Sequence, residues 1–285
     1  MDCGCADIPK AQESQGSSTF DPAKASLKEL KTFLTKNNEN IDSLLEKADF
    51  IQRAQEVCKR LQKEEEKSKE LKSKVIFAQK AVGPLQCNMC IIGDPKTNNA
   101  VLVDPGGDAD AILKLIAETK VTIVQILVTH AHFDHFLAAT AIKNATKAPV
   151  CLNKADLELW RMLPMQCMLF RIDAPKEKIA DPDAWLEDSG KLKVLDGRVI
   201  HTPGHSPGSS CFYFADSKLL FTGDTLFRGS VGRTDLMGGD AKKLVESIQK
   251  KLYALPEDVK VTPGHGESTT IGYEKQNNMV VRAKI

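Results

Sequence analysis

"VTIVQILVTHAHFDH", residues 121–135, sets a run rich in β-branched residues directly before a cluster of ionisable ones. The first eight residues are apolar apart from Thr122 and Gln125, the pattern of a strand buried on both faces. The next seven hold three of the chain's six histidines and an aspartate. A strand ending this way delivers the cluster to a loop, where layered folds collect functional groups. On an extended loop His130 and His132 can point the same way, while Asp134 and His135 reach a neighbouring position. Imidazole nitrogen and carboxylate oxygen suit Zn²⁺ or Fe²⁺, and so crowded a cluster calls for a cation.

Three further stretches repeat the device. "HTPGHSPGS" (201–209) presents His205, "FTGDTLF" (221–227) presents Asp224, and "VTPGHGES" (261–268) presents His265. Each time an apolar strand ends and a Gly or Pro turn offers a donor. His201, four residues before His205, is expected in a supporting or structural place behind the ligands. No serine or cysteine carries a matching base motif, so a covalent nucleophile is not expected.

Strand-like runs occur at "KVIFAQKAV", "QCNMCIIG" and "NAVLVDP", with others near 148–152, 198–202, 210–215, 218–222 and 259–263. Helical patterns fall at 109–119, 136–145, 154–163 and 240–253. Strands first, then alternation with helices, predict an α/β layered domain with sheets inside and helices outside. Cys87 and Cys90 have C-x-x-C spacing but sit on a strand, where they point to opposite faces. Without a second pair they read as buried thiols.

H-x-H-x-D-H followed by a lone His, a lone Asp and a final His resembles the signature of the metallo-β-lactamase superfamily, over residues 75–285. "FTGDTLFRGSVGRTDL" and "TPGHGESTTIGYEKQNN" are most similar to its single-domain, glyoxalase II-like hydroxyacylglutathione hydrolases. The resemblance implies an αββα sandwich with two divalent metal ions, zinc foremost and iron or manganese accepted. It assigns His130, His132 and His205 to the first ion, Asp134, His135 and His265 to the second, and Asp224 to both. Asp134 is also the candidate catalytic carboxylate.

By the same resemblance, a metal-bridging hydroxide cleaves a thioester such as S-D-lactoylglutathione. Two-domain relatives grip glutathione partly through a helical C-terminal domain, which is not expected in this protein. Arg233 stands where those enzymes place a Lys and Asp235 where they place a Tyr. Arg233 and, less centrally, Arg228 are therefore candidate substrate contacts, with a structural pairing of Arg233 and Asp235 equally open. "GRTD" is also shared with persulfide dioxygenases, which use one iron held by two His and one Asp on glutathione persulfide. That is the alternative activity.

Upstream the texture differs. Residues 1–20 are polar, small and aperiodic, and read as a disordered tail. Ser26 with Glu29 forms a capping-box pair, and Leu27, Leu30, Phe33 and Leu34 then share a helix face. "LKELKTFL" and "LLEKADFIQRAQEV", within 21–58, resemble a SAP-like helix–loop–helix module. The resemblance implies a protein partner or self-association through 21–74. "KRLQKEEEKSKELKSK" (59–74) carries seven bases offset by four glutamates without interleaved aromatics, so it reads as an exposed spacer helix rather than a nucleic-acid contact. A module-directed nuclease or interaction protein on the same fold is the third, weaker, expectation. The net charge of +1 gives no global pull toward nucleic acid or anionic membrane. Asp2 and Asp7 do not fit a secretory or mitochondrial leader, and eight scattered cysteines fit reduced thiols, so the expected location is cytoplasmic.

Overall fold

The structure, a computed structural model, describes residues 20–42, 44–175 and 179–282, and for 64–74 the backbone only. The tail expected over 1–20 lies outside the described residues except for Phe20. The chain divides into two compact units, Met1–Leu71 and Lys72–Ile285.

In the first unit, α1 (Leu27–Lys36) opens on the capping box: Ser26 Oγ accepts from Glu29 N, and the Glu29 carboxylate accepts from Ser26 N. Leu30 and Leu34 bury against Phe50, Ala54 and Val57 of α2 (Lys47–Lys74), and Phe20 stacks on Phe33 at 4.2 Å. Glu39, almost fully buried, lies between Arg53 and Arg60 at 2.7 and 2.8 Å. The second helix of the pair and the charged spacer are one continuous element. No helix among the described residues is long and apolar enough to cross a membrane.

The second unit holds two main sheets. Strands β1 (Ile76–Val82), β2 (Cys87–Gly93), β3 (Asn99–Val103), β4 (Thr122–Leu127), β5 (Val150–Leu152) and β6 (Ala184–Trp185) lie in that order, antiparallel as far as β3 and parallel beyond it. Strands β7 (Arg198–His201), β8 (Ser210–Phe214), β9 (Leu219–Gly223), β12 (Lys260–Pro263) and β13 (Thr269–Thr270) form the other sheet, in the order β13-β12-β9-β8-β7. A small hairpin, β10 (Leu226–Phe227) and β11 (Ser230–Val231), follows β9.

Both faces of these sheets are covered. Met89 and Ile91 of β2 join a cluster with α3 (Ala109–Thr119) and α4 (Ala139–Thr146), whereas Cys90 and Ile92, buried as deeply, face the other way. Phe77 of β1 meets Phe221 of β9 at 6.2 Å, joining the two sheets. Beyond the second sheet, Leu244 of α7 (Ala241–Ser247) and Ile271 of α8 (Ile271–Asn277) complete another cluster. The result is the expected α/β sandwich of two sheets between helical layers.

The helix expected over 154–163 is instead a 3₁₀ turn, Lys154–Asp156, then α5 (Leu157–Arg161) and α6 (Leu163–Phe170). Pro164 does not stop the chain, because it falls in the first turn of α6, where a missing N–H costs no hydrogen bond. The stretch predicted over 240–253 is α7 continued by a π-helical turn, Ile248–Leu252.

β4, β7, β9 and β12 each end in a loop that carries donor residues. One of these loops fits only because Gly106 lacks a side chain: a Cβ there would lie 1.9 Å from the Asp134 carbonyl oxygen and 2.9 Å from Cys87 Cβ. Backbone cannot yield as a side chain can. Gly106→Ala is therefore expected to destabilise this unit by about 1–3 kcal/mol and to lower its metal content. Thermal melting and metal analysis beside the parent protein check both.

Candidate metal centre

Beyond β4 the chain bends at Thr129 and His130, returns to extended backbone at His132, and a 3₁₀ turn, Phe133–His135, then swings Asp134 and His135 inward. All four donors of this loop are buried. His205 reaches the same place from the turn after β7, Asp224 from the end of β9 and His265 from the end of β12. The structure brings all seven expected residues together.

They fall into two groups around one carboxylate. His205 Nε2 lies 2.8 Å from His132 Nδ1 and 3.1 Å from His130 Nε2. His265 Nε2 lies 3.0 Å from Asp134 Oδ2, and His135 Nε2 3.4 Å from the same oxygen. Asp224 turns Oδ2 toward His205, at 3.7 Å, and Oδ1 toward His135 and His265, at 3.4 and 3.8 Å. In each of the sets His130–His132–His205, Asp134–His135–His265 and His130–His135–Asp224, one atom per residue lies within 4.8 Å of the others and could ligate an ion.

The far side of each ring decides what the near side offers. His205 Nδ1–H donates to the Arg233 carbonyl at 2.7 Å, and His265 Nδ1–H to the Leu85 carbonyl at 3.0 Å. His135 Nδ1–H donates to Asp104 at 2.9 Å. Thr129 gives its hydroxyl proton to Asp104, leaving Oγ1 to accept from His130 Nδ1–H at 3.1 Å. In each of these four rings, when neutral, the remaining nitrogen offers a lone pair aimed inward. Lone pairs facing lone pairs and carboxylates repel unless a proton or cation lies between them. His135 Nε2 and Asp224 Oδ1 are buried with no hydrogen-bond partner among the described residues. The donor set fits metal ions.

Asp104 was not singled out from sequence. It follows β3 in left-handed backbone, fully buried, and accepts from Thr129 N, Thr129 Oγ1 and His135. Cys87, expected only as a buried thiol, is that, but its Sγ also lies 3.5 Å from His135 Nδ1. His201 stands outside the donors, its Nε2 facing the Pro207 carbonyl at 2.9 Å on the His205 loop. The Arg233 guanidinium forks onto Asp235 at 2.7 and 2.8 Å, so its carbonyl rather than its charge reaches the centre. Arg228 pairs with Glu267 at 2.9 Å and lies over the Tyr273 ring.

Charge follows the geometry. Burial, with neighbouring imidazoles, pushes His130 well down and His132 to about 3, and burial also lowers His205. For His135, burial opposes the charge, but Cys87 and the carboxylates of Asp134, Asp224 and Asp104 outweigh it and raise the ring well above 6.5. His265 is raised against burial by Asp134 and Asp224. Asp134 and Asp224 are lowered against burial, chiefly by His135.

These directions give opposite pH slopes in metal-free protein. His130, His132 and His205 bind protons less well folded than unfolded, so their contribution to stability falls as pH drops below about 6.5. His135 and His265 bind protons better when folded, so their contribution is complete below about 6.5 and lost as pH rises through their raised values. Chelated protein is expected to melt highest near pH 6.5 and lower on both sides. A series of melts across pH in chelator checks this.

Residues 82–265 match the family model described as metallo-beta-lactamase superfamily. Hydroxyacylglutathione hydrolase GloC of Haemophilus influenzae is 37% identical over 207 residues, covering 71% of this chain and 96% of that protein. The solved structure of TTHA1623 in a di-iron-bound form is similar with a TM-score of 0.65 and 38% identity, over 71% of this chain and 98% of its own. ETHE1 from Myxococcus xanthus is similar with a TM-score of 0.58 and 29% identity, over 72% and 83%. A family match running through both sheets, beside a relative aligned over nearly its whole length, places the chain in the metallo-β-lactamase superfamily.

Proposed function

We propose that this protein is a metal-dependent hydrolase that cleaves S-D-lactoylglutathione or a similar glutathione thioester with two divalent ions. The observation that carries the reading is Asp224, which turns one oxygen to each donor group. His130, His132 and His205 would hold one ion, Asp134, His135 and His265 the other, and Asp224 both. Imidazole and carboxylate in this proportion favour zinc and accept iron or manganese. Bound ions would supply Lewis acidity at a carbonyl oxygen and a water acidified to near neutral pH.

The chain's own part is orientation. Asp104 keeps His135 turned inward directly and His130 through Thr129, while the Arg233 and Leu85 carbonyls do the same for His205 and His265. Cys87 is no nucleophile: fully enclosed, its thiol is pushed by burial up to about 12. A thiolate departs without a proton from an acid side chain, which suits a centre built from ligands alone. Arg233 and Arg228 are the candidate contacts for substrate carboxylates. Each is held by an exposed carboxylate, in a pairing weak enough for a ligand to displace. The GloC likeness supports the substrate class.

The dioxygenase alternative needs three of the seven donors and leaves the rest without a role. For residues 21–74 we favour a protein partner or self-association over nucleic acid. Asp49 accepts from the Leu45 and Glu46 backbone at the start of α2, putting carboxylate where a phosphate would bind.

Metal-loaded protein is expected to hydrolyse S-D-lactoylglutathione with about two ions per chain. Oxygen uptake on glutathione persulfide with one iron, and no thioester cleavage, would reverse the assignment. Asp224→Ala is expected to lower turnover by about 100-fold or more. Activity near the parent level in that variant would remove Asp224 from its shared position.

A further inference from the structure

One buried carboxylate outside the donor set touches both loops that bring the three histidines together. Asp156 closes the 3₁₀ turn after β5 and is fully buried. Its Oδ2 accepts from Ala131 N at 3.0 Å and from Ser206 Oγ at 2.7 Å, and its Oδ1 accepts from Gly208 N. Ala131 lies between His130 and His132, and Ser206 follows His205. The fit leaves no slack: a Cβ on Gly208 would lie 2.6 Å from Asp156 Cγ. Of the other donors, His135 is braced by Asp104 and His265 by the Leu85 carbonyl.

We propose that Asp156 is a positioning residue that acts chiefly on the three-histidine subsite. It fixes the separation of loops 129–135 and 202–209, and with it the geometry at which His130, His132 and His205 meet. The inference rests on the reading that this triad holds a metal ion. A carboxylate is required because three donors approach from two sides. An amide in its place keeps one accepting oxygen and turns an N–H₂ toward a backbone N–H or a hydroxyl.

The test is metal binding by the full chain, not turnover. Cobalt(II) titration followed by its visible absorption, with zinc dialysis alongside, resolves the two subsites. His205→Ala identifies the spectral component that belongs to the triad. Asp156→Asn is expected to weaken the triad component by about 10- to 100-fold, with the other held within about threefold. Parent-like binding at both subsites, or equal weakening of both, overturns the proposal. If Asp156→Asn does not fold, Ser206→Ala removes one arm and keeps the carboxylate. It is then expected to weaken the triad component by several-fold, and parent-like binding overturns the proposal instead. Failure of the parent protein to take up two ions would sink the functional reading itself, a result distinct from either.

Discussion

Five imidazoles and two carboxylates can share one buried site only under two conditions. The outward-facing ring nitrogens must be tied back to the protein, and the inward-facing lone pairs must share positive charge. Much of the second unit serves the first condition. Asp104, Thr129 and the carbonyls of Arg233 and Leu85 each take a ring N–H, fixing four rings in orientation and tautomer. Without cations the second condition is met poorly. Burial disfavours the charged form of His130, His132 and His205, while burial is outweighed at His135 and His265 by nearby acidic groups that favour it.

The sheets exist in a form that makes this possible. Strands buried on both faces give stiff platforms, and the donors lie where those platforms end, on loops that need no regular hydrogen bonding. The 3₁₀ turn at Phe133–His135 packs Asp134 and His135 into a short span while Phe133 anchors the turn in the core. Backbone of the β3–α3 connection passes close beneath that turn, which is why Gly106 meets the Asp134 carbonyl so tightly. Fold and site are thus fixed by the same few close approaches.

The seven donors were legible because they are dense and chemically unlike their surroundings: H-x-H-x-D-H has little purpose in a core. The bracing residues were not. Asp104 ends "VLVDP" as a turn-forming aspartate would, and only its partners 25 and 31 residues away reveal its role. Arg233 drew notice for its charge, yet its link to the centre runs through a main-chain carbonyl, which leaves no trace in residue type. The division at 162–163 was hidden as well. The expected helix stopped at 163, whereas a second one runs Leu163–Phe170 with Pro164 in its first turn. In the first unit, the alternation of charge in 59–74 marked a spacer but not its continuity with α2.

The donors span residues 130 to 265, so joining them ties together chain segments about 135 positions apart. A cross-link over that separation removes disorder from the unfolded chain and leaves the folded one little changed. Because Asp224 and His265 come from one sheet and the 129–135 loop from the other, bound ions would act as a rivet through the sandwich. Withdrawing such ions would then loosen the join between the two sheets as well as empty the donor set.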